Sequence, residues 1–403
     1  PCSIVPLAFT ATISFSNDAM ELKQFILSLI IILVCSRVLV ELAIRIGQSA
    51  VLGELLAGVL VGGSVLGWVE PTQPLKLMGE IGVMLLLFEV GLKSDLHSFL
   101  KVGWSATAVA VIGVVTPFVL GYGLALLLHM SQLQAIFVGA TLTATSVGFS
   151  ARVLHDLGKL KTPEGNIILG AAVIDDVLGL VILSVIVGLA ESGTVSWFEV
   201  IRAAALAFLF LGLAILAGIR YVHWFTRLVN RMNSRGKLIV TAMVPVLLFG
   251  YVAELLHVAA LIGAFAAGLI LAKTEHHAHI EDTIKPVADI FVPIFFVLIG
   301  AAVDLSHFNP FNQQNWPILL LAGGLTVVAI LGKLAAGLGA GGAVNRWAVG
   351  IGMLPRGEVG LIFAGVGLSS AIISTAEYGA ILLVVTLTTV LSPLLLKKSF
   401  KTA

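Results

Sequence analysis

Apolar runs of roughly membrane length, each closed by a short polar or glycine-rich turn, recur along nearly the whole chain. A helix that crosses a bilayer needs about 20 mostly apolar residues. On that ruler the pattern predicts about thirteen spans, at 22–46, 51–68, 75–93, 103–129, 134–154, 166–190, 197–229, 236–256, 258–273, 284–303, 317–340, 346–371 and 377–397. Spans two and nine are short, and span seven turns basic at its end. The expected fold is an all-α polytopic membrane protein. Residues 1–21 are expected to form an extracytoplasmic N-terminal segment. The chain starts at Pro1, which points to processing or trimming, and "CSIVPLAFTATIS" lacks the basic n-region of a signal peptide.

Composition agrees with the pattern. Of 403 residues, 59% are hydrophobic and 11% charged, where soluble domains carry roughly 25% charged residues. A net charge of +1 gives no reason to expect a nucleic-acid partner. Cys2 and Cys35 support neither a disulfide framework nor a zinc site. The 42 glycines suit close helix packing in lipid.

Lys and Arg near the span ends set the expected orientation. One set of loops holds seventeen of them, among them Arg45, Lys93, Arg152, Arg231, Arg346 and Lys398, and the opposite set holds Lys23, Lys76 and Arg202. The N-terminus is then outside and the C-terminus cytoplasmic. The alternation also favours an odd number of spans. No loop is long enough for a soluble domain, and no nucleotide-binding domain is expected in this chain.

The two halves of the chain echo each other. "GELLAGVL" at 53–60 resembles "GAFAAGLI" at 263–270, "GLKSDL" at 91–96 resembles "GAAVDL" at 300–305, and "SVG" at 146–148 faces "EVG" at 358–360. The offsets, 210, 209 and 212, are nearly constant. They pair span two with nine, three with ten and five with twelve. A shift of seven spans is odd, so the two halves sit upside down relative to each other. Inverted repeats of this kind build many secondary transporters, with the binding site at mid-membrane between the repeats. The corresponding division is 22–190 for the first six-helix repeat, 191–235 for a linking helix and 236–403 for the second repeat.

Two spans carry the marks of broken helices. Span five contains "TLTATSVGFS" (141–150), and its repeat mate contains "GMLPRGEVG" (352–360) with Pro355 among three glycines. Unwound backbone at membrane depth survives where protein buries it or where it lines a cavity. In an inverted repeat the two breaks cross, and their half-helix ends place partial charges at the centre.

Ionisable residues stand near mid-span: Asp175 and Asp176 in "GAAVIDDVLGL", Lys333 in "ILGKLAAG", and Arg356 and Glu358 at the second break. A charge at the bilayer centre costs at least about 2.5–3.5 kcal/mol, so it is normally paired or lines an ion path. Adjacent helical residues point about 100° apart, so the two aspartates cannot share one partner equally. Neighbouring carboxylates in low dielectric do not both ionise without a cation nearby. Asp176, with Thr145, Ser146 and unwound carbonyls, offers hard oxygen ligands for a small alkali cation, whereas Asp175 with Lys333 also reads as a packing pair. Glu89 and Lys93 are spaced as an i,i+4 pair, as are Arg37 and Glu41. Glu54 reads as either a packing or a gate residue. "EHHAHIED" (275–282), with His276 to His279, reads as a solvated cytoplasmic tract, and the basic end of span seven as a topology signal and a lipid contact.

Together "LGELLAGVLVG", "LLLFEVGLKSDL", "TATSVGFSARVLHDLG", "ILGAAVIDDVLGL", "ILGKLAAG" and "PRGEVGLI" resemble the cation:proton antiporter-2 family, on its bacterial sodium/proton antiporter branch. The resemblance implies a thirteen-helix fold in which spans one, two, eight and nine form a dimer domain and spans three to six and ten to thirteen a mobile core. It implies that Asp176 binds the cation, Na+ or Li+, and that Asp175 pairs with Lys333. It implies electrogenic exchange, with no cofactor beyond the transported ions, in a homodimer of a bacterial-type inner or thylakoid membrane. The potassium-efflux branch differs in its residue before the Asp and in a fused nucleotide-binding domain. Glu89 departs from the family, where that position is usually apolar. Thr145 and Ser146 are expected as supplementary ligands, and Arg356 and Glu358 as charge balance at the second break. A K+/H+ antiporter and a sodium-coupled solute symporter on the same fold are the alternatives. An intramembrane aspartyl protease is disfavoured because its two acids come from different helices, and a passive channel because it needs no competing carboxylate at mid-depth.

Overall fold

The computed structural model describes residues 7–46, 48–93, 102–192, 237–256, 258–272, 274, 277–302, 316–342 and 344–400, with isolated positions between 198 and 220. For 7–21 and for several other helical positions, Glu358 among them, it describes the backbone alone. The described residues form fourteen α-helices: α1 Leu7–Arg45, α2 Ala50–Val61, α3 Gln73–Lys93, α4 Gly103–Leu127, α5 Gln132–Thr141, α6 Val147–Asp156, α7 Pro163–Ser192, α8 Lys237–Leu255, α9 Ala260–Leu271, α10 His277–Ala301, α11 Trp316–Ala336, α12 Arg346–Gly352, α13 Glu358–Ser369 and α14 Thr375–Ser399.

Twelve of the expected spans coincide with these helices, and the seventh falls largely outside the described residues. The expected N-terminal segment is helical from Leu7 onward, because nothing between 7 and 21 breaks a helix. Span two stops early, at Val61, where the chain turns through Gly62 and Gly67. Span ten starts at His277, so the histidine tract partly forms a helix end rather than a loop, while 275 and His276 lie outside the described residues. Exposed tryptophans mark the membrane boundaries: Trp104 and Trp347 open α4 and α12 at the Lys/Arg-rich face, and Trp68 and Trp316 lie at the opposite face.

The helices pack as two bundles. A panel holds α1, α2, α3, α8, α9 and α10, and a core holds α4 to α7 and α11 to α14. Spans three and ten were expected in the core but belong to the panel, and glycine is the physical reason. A Cβ at Gly58 on α2 would come within 2.1 Å of Val297 O on α10, and one at Gly91 on α3 within 2.4 Å of Phe265 O on α9. Only glycine lets these backbones approach so closely. The same contacts carry the internal repeat. Gly58 lies on Gly300 and Gly268 on Gly91, so a shift of about 210 residues turns one contact into the other. Gly53 against Val40 and Gly263 against Gly250 repeat the relation between α1/α2 and α8/α9.

In the core α4 lies along α11 and the 3-10 turn Gly337–Ala340 that follows it, with Gly332 against Pro117 and Gly339 against Ala108. Between the bundles, on the Lys/Arg-poor face, a cavity of about 260 Å³ is lined by Leu55, Val59, Phe295, Leu298 and Val385 and reaches inward to Gly357 and Thr389.

Candidate ion-binding site

The two helix breaks occur where the sequence placed them. Span five ends as α5 at Thr141 and resumes as α6 at Val147; span twelve ends as α12 at Gly352 and resumes as α13 at Glu358. The unwound stretches lie against each other. The Ser146 N–H donates to Pro355 O at 2.8 Å, the Thr145 hydroxyl donates to Met353 O at 3.2 Å, and a Cβ at Gly357 would come within 3.0 Å of the Ser146 side chain. A larger residue at 357 would need the Ser146 side chain to give way by a few tenths of an ångström.

The interruption leaves carbonyls at the ends of α5 and α12 without helical partners, and each must be met by something buried. At the first break cations meet them. Lys333 Nζ on α11 donates to Thr143 O, and Arg356 Nη1 donates to Leu142 O and, at 3.2 Å, to Ala144 O. Lys333 and Arg356 are both fully buried. Gly113 on α4 lies against Ala336 and Lys333 of α11, where a Cβ would meet Ala336 Cβ at 3.3 Å. Arg356 was expected to balance charge at its own break with Glu358. Its guanidinium reaches across to the other break instead, because the free carbonyls at the C-terminal end of α5 concentrate negative partial charge there. The Glu358 side chain lies outside the described residues.

Asp175 joins this arrangement from α7. Its Oδ2 accepts the Thr145 N–H at 2.6 Å and lies 3.7 Å from Lys333 Nζ, and Arg356 is within electrostatic reach. The carboxylate thus meets the chain just ahead of the N-terminus of α6, where free N–H groups favour negative charge. Oδ1 of Asp175 has no protein hydrogen-bond partner. Asp176, one position on, is 9% exposed. The Ser146 hydroxyl is buried, again without a protein partner, beside Gly357. So Asp175, Lys333, Thr145, Ser146 and Arg356 come together around the crossing of the breaks. Chemically this is a buried patch of hard oxygens next to two fixed cations, suited to a proton or a small monovalent cation. Among the described residues no group of His, Cys, Asp and Glu has the makings of a multivalent metal site.

Several contributors were not singled out from the sequence. Ser150 Oγ donates to Gly352 O at 2.7 Å, Ser392 Oγ to Ile351 O at 3.3 Å, and Thr389 Oγ1 donates to Arg356 O at 2.7 Å while accepting its N–H at 3.2 Å. The signal was there in "TLTTVLS" on α14, a hydroxyl-rich stretch facing the unwound "LPRG". Other expected pairs are replaced. Lys93 pairs with Glu281 at 3.1 Å, not with Glu89. Glu41 pairs with Arg45 at 2.9 Å, while Arg37 donates to Asp289 O. In both cases a partner at equally good spacing or from the adjacent helix competes for the same side chain. Glu54 is buried and pairs with Arg152 at 3.7 Å.

The family described as "Sodium/hydrogen exchanger, transmembrane" matches residues 27–398. The chain is similar to the high-affinity Na+/H+ antiporter NhaS3 of Synechocystis, at 39% identity over 99% of this chain and 95% of that one. It is similar to the Na+/H+-K+ antiporter GerN of Bacillus cereus at 38% identity, covering 94% and 96%, and to a Na+/H+ antiporter of Enterococcus hirae at 35%, covering 93% and 97%. In three dimensions it resembles the solved sodium proton antiporter of Methanocaldococcus jannaschii at pH 8, with a TM-score of 0.66 at 19% identity over 94% of this chain and 97% of that one.

Proposed function

Because this chain belongs to the sodium/hydrogen exchanger family of multi-pass membrane proteins, we propose that it exchanges cytoplasmic Na+ for external H+ by alternating access, with Asp176 as the site for which the two ions compete. The observation that carries the reading is the crossing of two unwound helices beside Asp175, Lys333 and Arg356, with Asp176 the next residue on α7. Unwound backbone and buried charge at this depth are both costly, and together they line an ion path.

Asp176 supplies the carboxylate that takes either a proton or Na+, and the buried hydroxyls of Thr145 and Ser146 supply supplementary oxygen ligands. Either ion neutralises Asp176 enough for the core to move against the panel, whereas the bare carboxylate is too costly to carry through the apolar barrier. That rule turns competition into obligatory exchange. Asp175 and Lys333 hold each other charged while Asp176 is empty of metal. Na+ binding loosens that pair, and Lys333 gives up a second proton, which makes the cycle electrogenic. Arg356 stays charged and fixes the first break. The scheme calls for no bound cofactor.

The excess of Lys and Arg on one set of loops supports an extracytoplasmic N-terminus and a cytoplasmic C-terminus; the host membrane in this proposal is a bacterial-type inner or thylakoid membrane. The chain works as a homodimer in this reading, with the panel as its dimer face. A solute symporter is disfavoured by the cavity wall, which is mostly apolar, with Lys76, Glu80, Thr386 and Thr389 as its polar side chains among the described residues. The deciding experiment is flux in proteoliposomes with the membrane potential clamped. Wild type is expected to couple Na+ gradients to proton movement and Asp176→Asn to lose that coupling while keeping its fold. Coupling retained in the variant would remove Asp176 from the mechanism, and coupling driven by K+ alone would make this a K+/H+ exchanger.

A further inference from the structure

A second cluster of buried charge lies apart from the ion site, at the Asp156 end of α6, where core meets panel. Arg152 on α6 directs Nη2 to Glu54 Oε1 on α2 at 3.7 Å and Nε to Asp156 Oδ1 at 3.3 Å. One turn away the core is tied to α3 as well: Lys93 Nζ lies 2.9 Å from His155 Nε2 and 3.1 Å from Glu281 Oε1 on α10. In the same cluster Glu89 on α3 is 5% exposed, and its Oε1 has no protein hydrogen-bond partner. Its electrostatic neighbours include Lys93, His155 and Arg152. The panel therefore offers Arg152 two buried carboxylates, on two helices; Arg152 is ion-paired with Glu54 through Oε1, while Oε2 of Glu54, like Oε1 of Glu89, has no protein hydrogen-bond partner.

A buried carboxylate oxygen left unpaired is costly and rare. The cost has a purpose if the group is paired in another arrangement of the same molecule. Helix α6 already rides on α3, since a Cβ at Gly148 would come within 2.8 Å of the Val83 side chain, one turn from Arg152. We propose that Glu54 and Glu89 are alternate seats for Arg152: it is latched to Glu54 in this arrangement and passes to Glu89 when the core shifts against the panel. The inference rests on the reading that the core moves. A latch with one seat would hold one arrangement and oppose the return. Two seats give both arrangements a comparable ion pair, so the balance between them stays close and the transported ions can tip it.

The test is hydrogen–deuterium exchange of residues 147–156 in the full chain, held in lipid nanodiscs at one fixed pH without Na+. Glu54→Gln removes the occupied seat and is expected to lower protection of this segment about tenfold, while Glu89→Gln removes the alternate seat and is expected to raise it by a similar factor. In an Arg152→Gln background neither change should add anything. Shifts of the same sign, no response to Glu89→Gln, or unaltered responses without Arg152 would each overturn the proposal. If a Gln variant does not fold, Glu54→Asp and Glu89→Asp keep the charge at shorter reach and should show the same opposed signs. None of these readings requires transport. The latch can fail while Na+/H+ exchange persists, and the exchange reading can fail while the opposed shifts remain.

Discussion

The two helix breaks face the same physical demand and meet it by different means. At the first, the freed carbonyls of Leu142, Thr143 and Ala144 are taken by the cations of Lys333 and Arg356. At the second, the carbonyls of Ile351, Gly352, Met353 and Arg356 are taken by hydroxyls of Ser392, Ser150, Thr145 and Thr389. A hydroxyl satisfies a carbonyl without bringing net charge into the membrane. A cation does so at a desolvation cost that needs a counter-charge. The first break has one, because Asp175 sits within 3.7 Å of Lys333. The two crossed breaks thus form one frame, and buried charge gathers at only one of them. Chemistry that depends on protons should be sensitive to the cationic break and tolerant of changes at the hydroxyl break.

The comparison breaks most sharply at its charges. Asp176→Asn should abolish coupled exchange, as set out above. Arg356→Met should come next. It strips Leu142 O and Ala144 O of their donor and removes a nearby positive charge from Asp175, and a buried carbonyl left without a donor costs about 1–3 kcal/mol. The expected result is loss of exchange together with a clear drop in thermal stability, measured on purified protein in detergent. An Arg356→Met protein of wild-type stability would mean that water or another donor already serves those carbonyls, and the cationic break would lose its distinction.

Lys333→Gln sharpens the same side. The amide keeps a donor for Thr143 O but cannot release a proton on Na+ binding. Exchange should fall about tenfold or become electroneutral, read as charge moved per Na+ on a solid-supported membrane. Unchanged charge per Na+ would remove Lys333 as the source of the second proton and leave it a structural cap.

Much of this site was legible because polar residues in an apolar run have few innocent explanations. Asp175, Asp176 and Lys333 stand out against their neighbours, and Pro355 with three glycines marks the second break. The glycine offset of 210 exposed the repeat. What stayed hidden was direction. The sequence cannot say that Arg356 leaves its own break for the other, since that depends on where the end of α5 lies in space. Nor does spacing decide between partners. Lys93 lies four residues from Glu89 yet chooses Glu281, which comes from a helix packed on its own. The panel grouping of spans three and ten is likewise written in Gly58, Gly91, Gly268 and Gly300, but those residues read as repeat markers until their backbones are seen in contact. Thr389 and Ser392 do not stand out in the sequence because threonine and serine in a membrane helix usually bond to their own preceding turn, as Thr388 does to Val384 O at 2.8 Å.

The hydroxyl break offers the smallest expected effect and the finest test. Thr389 holds both the N–H and the C=O of Arg356, so it fixes the backbone from which the guanidinium reaches the first break. Thr389→Val keeps the shape and removes both bonds; Thr389→Ser keeps the bonds and removes a methyl group. If Thr389 only satisfies backbone, valine should cost about 1–3 kcal/mol of stability and leave ion affinity alone. If it positions Arg356, valine should also raise the Na+ concentration for half-maximal exchange by about threefold, and serine should restore it. A split between affinity and maximal rate that serine repairs would show the neutral break acting through the charged one. Equal loss in both variants would confine Thr389 to packing and leave the two breaks independent.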